Sequence, residues 1–265
     1  MRLPGPDRHL RPWLASWLAL AVACIALPAV DIAAAATPSA SSRELRRERD
    51  RQRLMVDISR SLAADRLDEA ERQVRSLLAA NRRDPDAYTL QAVLSARQGR
   101  TVQEGEAYRQ ALALAPARGD LLNNYGAWLC AQGHAAEALV LFERARRDPA
   151  HPQADVTANA GICAARAGQW ELAERELRQA LQWLPAHAGA LAAMARVQLQ
   201  MEQPLAARAF YQRRLAAAAA DASVLQLAIE IEQRLGDDAA VANHKQRLAQ
   251  LQGEGQPTPG KVEER

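Results

Sequence analysis

Between Arg51 and Leu251 the chain repeats one pattern of small, large and polar positions. From Gly119 it runs Leu122, Tyr125, Gly126, Leu129, Gly133, Ala138, Phe142, Ala145 and Pro149. From Ala154 it runs Thr157, Ala160, Gly161, Ala164, Gly168, Trp170, Ala173, Leu177, Ala180 and Pro185. The best-aligned starts are Arg51, Pro85, Gly119, Ala154, Ala188 and Ala222, separated by 34, 34, 35, 34 and 34 residues. A unit of this length, with Gly near its middle and often Pro near its end, predicts two helices, A and B, joined by a tight turn.

Each recurring type has a steric reason. Small residues at position 8 (Ala92, Gly126, Gly161, Ala195) let helix A approach helix B. Ala70, Ala138, Ala173 and Ala207 at position 20 do the same from helix B. Large residues at position 24 (Val74, Tyr108, Phe142, Leu177, Tyr211) fill the space between them. Gly99, Gly133, Gly168 and Gly236 at position 15 suit a left-handed helix end, and Pro116, Pro149 and Pro185 stop helix B. A 34-residue helix–turn–helix period is the signature of tetratricopeptide repeats. The predicted fold is all-α, a right-handed superhelical solenoid of about six such repeats over residues 51–252. One repeat cannot bury its apolar face alone, so stacking of neighbours must supply the stability. The tail, residues 253–265, is rich in Gly, Pro and charge and is expected to be disordered.

Composition agrees. Apolar residues are 49% of the 265 and aromatics only 4%. The apolar share is largely Ala, accompanied by Leu, Arg, Glu and Gln, all good helix formers. The formal net charge is +3, with both signs interspersed along the repeats, so no basic stripe for nucleic acid is expected.

The N-terminus reads as an address. Arg2, Arg8 and Arg11 precede an uncharged apolar run from Trp13 to Val30, the form of an export signal over residues 1–36. Two processing sites compete. Ala34, Ala35 and Ala36 fit an ordinary signal peptidase. Leu20 to Cys24 resembles a bacterial lipobox, which would make Cys24 a lipidated residue holding the protein to the outer membrane. The expected location is the periplasm, free or attached to the inner leaflet of that membrane. Residues 37–50 form a linker and a basic helix start. Six Arg against three acids over residues 43–53 suit either a solvated helix or a lipid-headgroup contact.

Catalytic chemistry is missing from the pattern. His9 lies in the signal, and His134, His151, His187 and His244 fall far apart at turns or polar helix positions, so neither a metal site nor a cofactor is expected. There is no phosphate loop and no nucleophile elbow. Cys130 and Cys163 sit on successive A helices. Neighbouring helices pack about 8–10 Å apart and a bridge needs Cα atoms within about 7 Å, so buried free thiols are expected. The expected function is therefore protein binding, not catalysis.

Repeats of this kind bind partners along the groove lined by their A helices. Positions 2, 5, 6 and 9 nominate Leu90 and Val93 in repeat two, Asn123 and Asn124 in repeat three, Asn159 and Ile162 in repeat four, and Arg196 in repeat five. The Asn side chains suit either a peptide backbone or local polar groups of the helices themselves. The Lys and Asn that grip a C-terminal carboxylate in chaperone adaptors of this fold are replaced by Met55 and Ser59.

The run Leu121-Leu122-Asn123-Asn124-Tyr125-Gly126-Ala127-Trp128-Leu129-Cys130 resembles the type IV pilus biogenesis and stability proteins, the pilotin lipoproteins of Gram-negative bacteria. So do Gly133 to Ala138 and Ala160 to Cys163. The resemblance implies a non-enzymatic outer-membrane lipoprotein that helps the pilus secretin reach the outer membrane and form its ring. It also implies that secretin subunits are held in a groove of the early repeats, where Leu54, Ile58, Leu62 and Leu67 are the apolar candidates. The other reading is a general periplasmic adaptor for envelope or cell-division proteins.

Overall fold

The computed structural model describes residues 42–254. It divides into two units, residues 1–45 and 46–265; of the first, only the start of one helix is described. The export signal, Cys24 and most of the tail lie outside the described residues. The described residues form twelve helices and no strand. In chain order they are α1 (Ser42–Ala63), α2 (Leu67–Ala80), α3 (Pro85–Arg97), α4 (Thr101–Leu114), α5 (Gly119–Ala131) and α6 (Ala135–Ala145). There follow α7 (Gln153–Arg166), α8 (Trp170–Trp183), α9 (Ala188–Gln200), α10 (Pro204–Ala217), α11 (Ala222–Leu235) and α12 (Asp238–Glu254). Odd helices are A and even helices are B. Four A helices begin at the residue expected, and α7 begins one residue early. α1 starts nine residues before Arg51, taking in the basic segment, and α12 runs two residues into the expected tail.

The turn between A and B is the same in all six repeats. Gly99, Gly133, Gly168 and Gly236 take φ of 70°, 87°, 72° and 72°. In repeats one and five the position belongs to Asp65 and Glu202, which adopt φ of 56° and 58° despite their Cβ atoms. In each case the next N–H reaches back five residues, as Arg66 to Ser61 O at 2.9 Å and Gln203 to Gln198 O at 2.8 Å. This closure satisfies a carbonyl that the helix end would otherwise orphan.

Packing within a repeat follows the small-to-large pairing. A Cβ on Gly126 would lie 2.9 Å from the Phe142 ring, and one on Gly161 would lie 2.7 Å from Leu177 Cγ. Ala70, Ala138, Ala173 and Ala207 are fully buried. Repeat two departs from the rule, with Glu104 at that place, half-buried, its carboxyl pushed up by burial. Beside it Gly105 leaves room for the Trp128 ring of the next repeat, which a Cβ would meet at 2.3 Å.

From α2 to α12 each helix packs on its chain neighbours, and the A helices α5, α7, α9 and α11 also touch one another in succession. The B helices make no comparable contact among themselves. The A layer is thus the tighter one among the described residues, the layer that lines the inner face in stacked repeats of this kind.

Three sequence-based expectations need correction. Cys130 and Cys163 form a disulfide, with Cα atoms 5.7 Å apart. The spacing of 8–10 Å applies to helix axes; Cα atoms on facing sides each lie about 2.3 Å off the axis, which brings them within bonding range. Ile58 and Leu62 are buried in the first repeat's core with Val74, Leu77 and Leu94, and Leu54 and Leu67 pack half-buried against it. The four are spent on folding because, among the described residues, α1 buries its apolar side on α2 and α3. His244 is buried in α12, not polar-facing, with its ring edge-on to Tyr211 at 5.7 Å. Among the described residues no helix is long and apolar enough to cross a membrane.

Candidate functional site

The inner face of the A helices divides into two chemically different stretches. Over repeats one to four a network of Arg, Asp and Asn side chains is paired within the protein. Asp84, the N-cap of α3, accepts from its own Asp86 N–H at 3.0 Å and from Arg51 through Nε at 2.6 Å and Nη2 at 3.0 Å. Arg51 Nη2 also reaches Asp86 at 2.5 Å, and Arg118 reaches Asp86 at 2.7 Å and Asp120 beyond it. Burial pushes the Asp84 carboxyl up, but the hydrogen bonds and charge of Arg51 outweigh it and hold the group below the usual carboxylate range. Asp120 is held down in the same way by Arg118.

The nominated Asn residues meet in this stretch. Asn123 is buried, and its Oδ1 accepts from Asn159 Nδ2 at 2.9 Å across the gap between α5 and α7. This pair joins two repeats rather than facing outward. Asn124 is half-buried beside it. In repeat two Leu90 packs against the first core cluster, while Val93 is exposed. The disulfide lies at the far end of the same α5–α7 seam.

Over repeats four to six the inner face opens into a groove of about 340 Å³. Its floor is Gly189, Ala192 and Ala193 of α9. Ile162 and Ala165 of α7 and Trp170 of α8 form one wall, and Val224 and Leu227 of α11 the other. Arg166, Arg196, Gln200 and Ser223 stand at its edges. Of the residues nominated from sequence, Ile162 and Arg196 line this groove; Leu90, Val93, Asn123, Asn124 and Asn159 do not. The position rule that nominated Arg196 also points to Gly189, Ala192 and Ala193. Their small size makes the cavity, so a search for functional side chains passes over them.

A second polar cluster lies between repeats five and six. Glu232, almost fully buried, accepts from Arg208 Nε at 3.0 Å and from the Tyr211 hydroxyl, and His244 packs on the same ring. Burial and the charge of Arg247 push the His244 imidazole below its ordinary value, against the pull of Glu232. These groups are enclosed by their own partners and hold α10, α11 and α12 together. His187 is also structural: Nδ1 caps α9 by accepting from Ala190 N–H at 3.1 Å, and Nε2 faces Asp155 at 3.1 Å. Among the described residues no group of three or more His, Cys, Asp or Glu is placed to share a metal.

An all-α repeat stack with an inner groove is the arrangement of tetratricopeptide proteins, and solved structures agree. One is PilW, described as a widely conserved type IV pilus biogenesis factor; it superposes with a TM-score of 0.68 at 25% identity, covering 77% of this chain and 92% of that one. Pseudomonas aeruginosa pilF superposes with a TM-score of 0.66 at 22% identity, covering 79% of this chain and 95% of that one. A tetratricopeptide repeat protein from Parabacteroides merdae gives 0.64 at 15% identity, covering 82% and 84%. The fold is that of a tetratricopeptide-repeat protein-interaction module. No family model and no curated protein matches the chain.

Proposed function

We propose that this chain is a non-enzymatic, protein-binding scaffold of type IV pilus biogenesis. It assists the pilus secretin in reaching the outer membrane and assembling its multimer. The observation that carries this reading is the likeness to PilW, which extends over 92% of that protein and 77% of this chain. The Cys130–Cys163 bridge supports it independently, because such bonds persist in oxidising compartments such as the periplasm. That agrees with the export signal over residues 1–36, and lipid on Cys24 would supply attachment to the outer membrane.

A second reading is a periplasmic adaptor for other envelope or cell-division proteins. It is favoured by the first repeat, where Ile58 and Leu62 are enclosed in the core and leave no free apolar groove for a secretin segment. One experiment separates the two. The gene is deleted and the outer-membrane fraction is assayed for the heat- and detergent-resistant secretin multimer. Loss of the multimer with retention of the monomer is the expected result. An unchanged multimer removes the pilus reading and leaves the adaptor.

A further inference from the structure

We propose that the groove of repeats four to six binds an extended segment of a partner protein in which apolar residues alternate with Asp or Glu. This rests on the protein-binding reading above and names the chemistry of the partner.

Three features of the groove converge on that occupant. The first is charge. Arg166 and Arg196 are exposed on its rim, and neither guanidinium has a hydrogen-bond or ion-pair partner among the described residues. No Asp or Glu lines the groove. By contrast, Arg51 and Arg118 of the earlier repeats are each fastened to two Asp side chains. An unpaired guanidinium presents a planar fork of donors that matches a carboxylate, and two of them beside a dry surface select for an acidic ligand.

The second is shape. The groove crosses α7, α9 and α11 over a floor of the smallest side chains. A strand fits. Gly189, Ala192 and Ala193 have too little side chain to keep a backbone away, and the Gln200 amide, which makes no bond within the protein, can donate to or accept from it.

The third is spacing. α7, α9 and α11 lie side by side at about 8–10 Å, so a chain crossing all three covers about 16–20 Å. At about 3.3 Å per residue that is five or six residues. Successive side chains of a strand point to opposite faces. Apolar residues on one face would enter the groove between Ile162, Trp170 and Leu227. The alternate carboxylates would lie at the rim, within reach of Arg166 and Arg196.

The test uses the full chain and three fluorescein-labelled nonapeptides in which Leu alternates with Glu, with Gln or with Lys. Binding is followed by fluorescence anisotropy, with far-ultraviolet circular dichroism to confirm folding. The Leu/Glu peptide is expected to bind at least ten-fold more tightly than the other two. The Arg166→Glu, Arg196→Glu variant should reverse the preference towards the Leu/Lys peptide, and Arg166→Gln, Arg196→Gln should abolish it. Ala193→Trp, which fills the floor, should weaken all three by at least ten-fold with an unchanged circular dichroism spectrum. A Glu preference that survives the charge reversal overturns the proposal, as does the absence of Leu/Glu binding at 1 mM. Failure here with loss of the secretin multimer on gene deletion leaves the pilus reading standing without this groove. Success here with an unchanged multimer keeps the groove and removes the pilus reading.

Discussion

The first four repeats and the last three share one backbone plan yet use their inner faces in opposite ways. Along α3, α5 and the start of α7, the charged groups and one Asn pair are tied to one another: Arg51 on Asp84, Arg118 on Asp86 and Asp120, Asn159 on Asn123. Along the rest of α7, α9 and α11, small and apolar residues form the surface and two arginines stand without acids. A buried polar group that is paired contributes to the fold, and cutting its partner away exposes the desolvation cost of what remains. An unpaired charge on an open rim contributes little to the fold and is available to something else. Side-chain type alone therefore does not distinguish the two stretches. Pairing does.

This contrast can be broken or sharpened by measurement. The largest effect is expected at the junction of the two stretches. The Cys130→Ala, Cys163→Ala variant should lose about 3–4 kcal/mol in urea unfolding, the loop-closure value for a separation of 33 residues. A loss below about 1 kcal/mol would mean that α5 and α7 hold their seam without the bridge. Next, Asn123→Ala should cost about 1–2 kcal/mol, because it strands the Asn159 amide at the same seam. Hydrogen exchange should then quicken in α5 and α7 first, since repeats couple chiefly to their neighbours. Exchange that quickens equally in α11 would show one cooperative block and erase the division.

A smaller effect, opposite in sign, is expected at the two turns that lack Gly, one in each stretch. Asp65→Gly and Glu202→Gly should each raise stability by about 0.5–1 kcal/mol, because left-handed backbone is costly for a residue with a Cβ. Thermal melts of the single variants measure it, and a loss of stability for Asp65→Gly would mean that its exposed ion pair with Arg97 at 2.9 Å outweighs the backbone gain. The smallest effect is at the rim. Arg166→Ala and Arg196→Ala should each shift stability by no more than about 0.5 kcal/mol, as exposed and unpaired groups do. A cost above about 1 kcal/mol at either would mean that these arginines serve the fold as Arg51 does.

The repeat architecture was legible from the residues because its causes are local. Gly at the left-handed turn and Ala under Phe142 or Leu177 at helix–helix contacts act within one 34-residue unit, and six units repeat the message. Position rules also carried Ile162 and Arg196 to the groove. From sequence, Asn123 stayed open between a peptide backbone and polar groups of the helices, and the burial of Ile58 and Leu62 was not legible. Whether a side chain on an A helix faces a partner or a neighbouring repeat depends on what the next repeat places opposite it.

Sequence by itself determined the all-α class, the period and the turn conformation at the Gly positions, since these follow from steric preferences of residues close in the chain. Tertiary structure alone decided three things: that Cys130 reaches Cys163, that Asn123 is satisfied by Asn159, and that Arg166 joins Arg196 beside an open groove. Each is a relation between residues about 30 or more positions apart. Such relations are set by the distance and rotation between successive helices, which the packing of whole repeats fixes to within an ångström or two and local propensity does not.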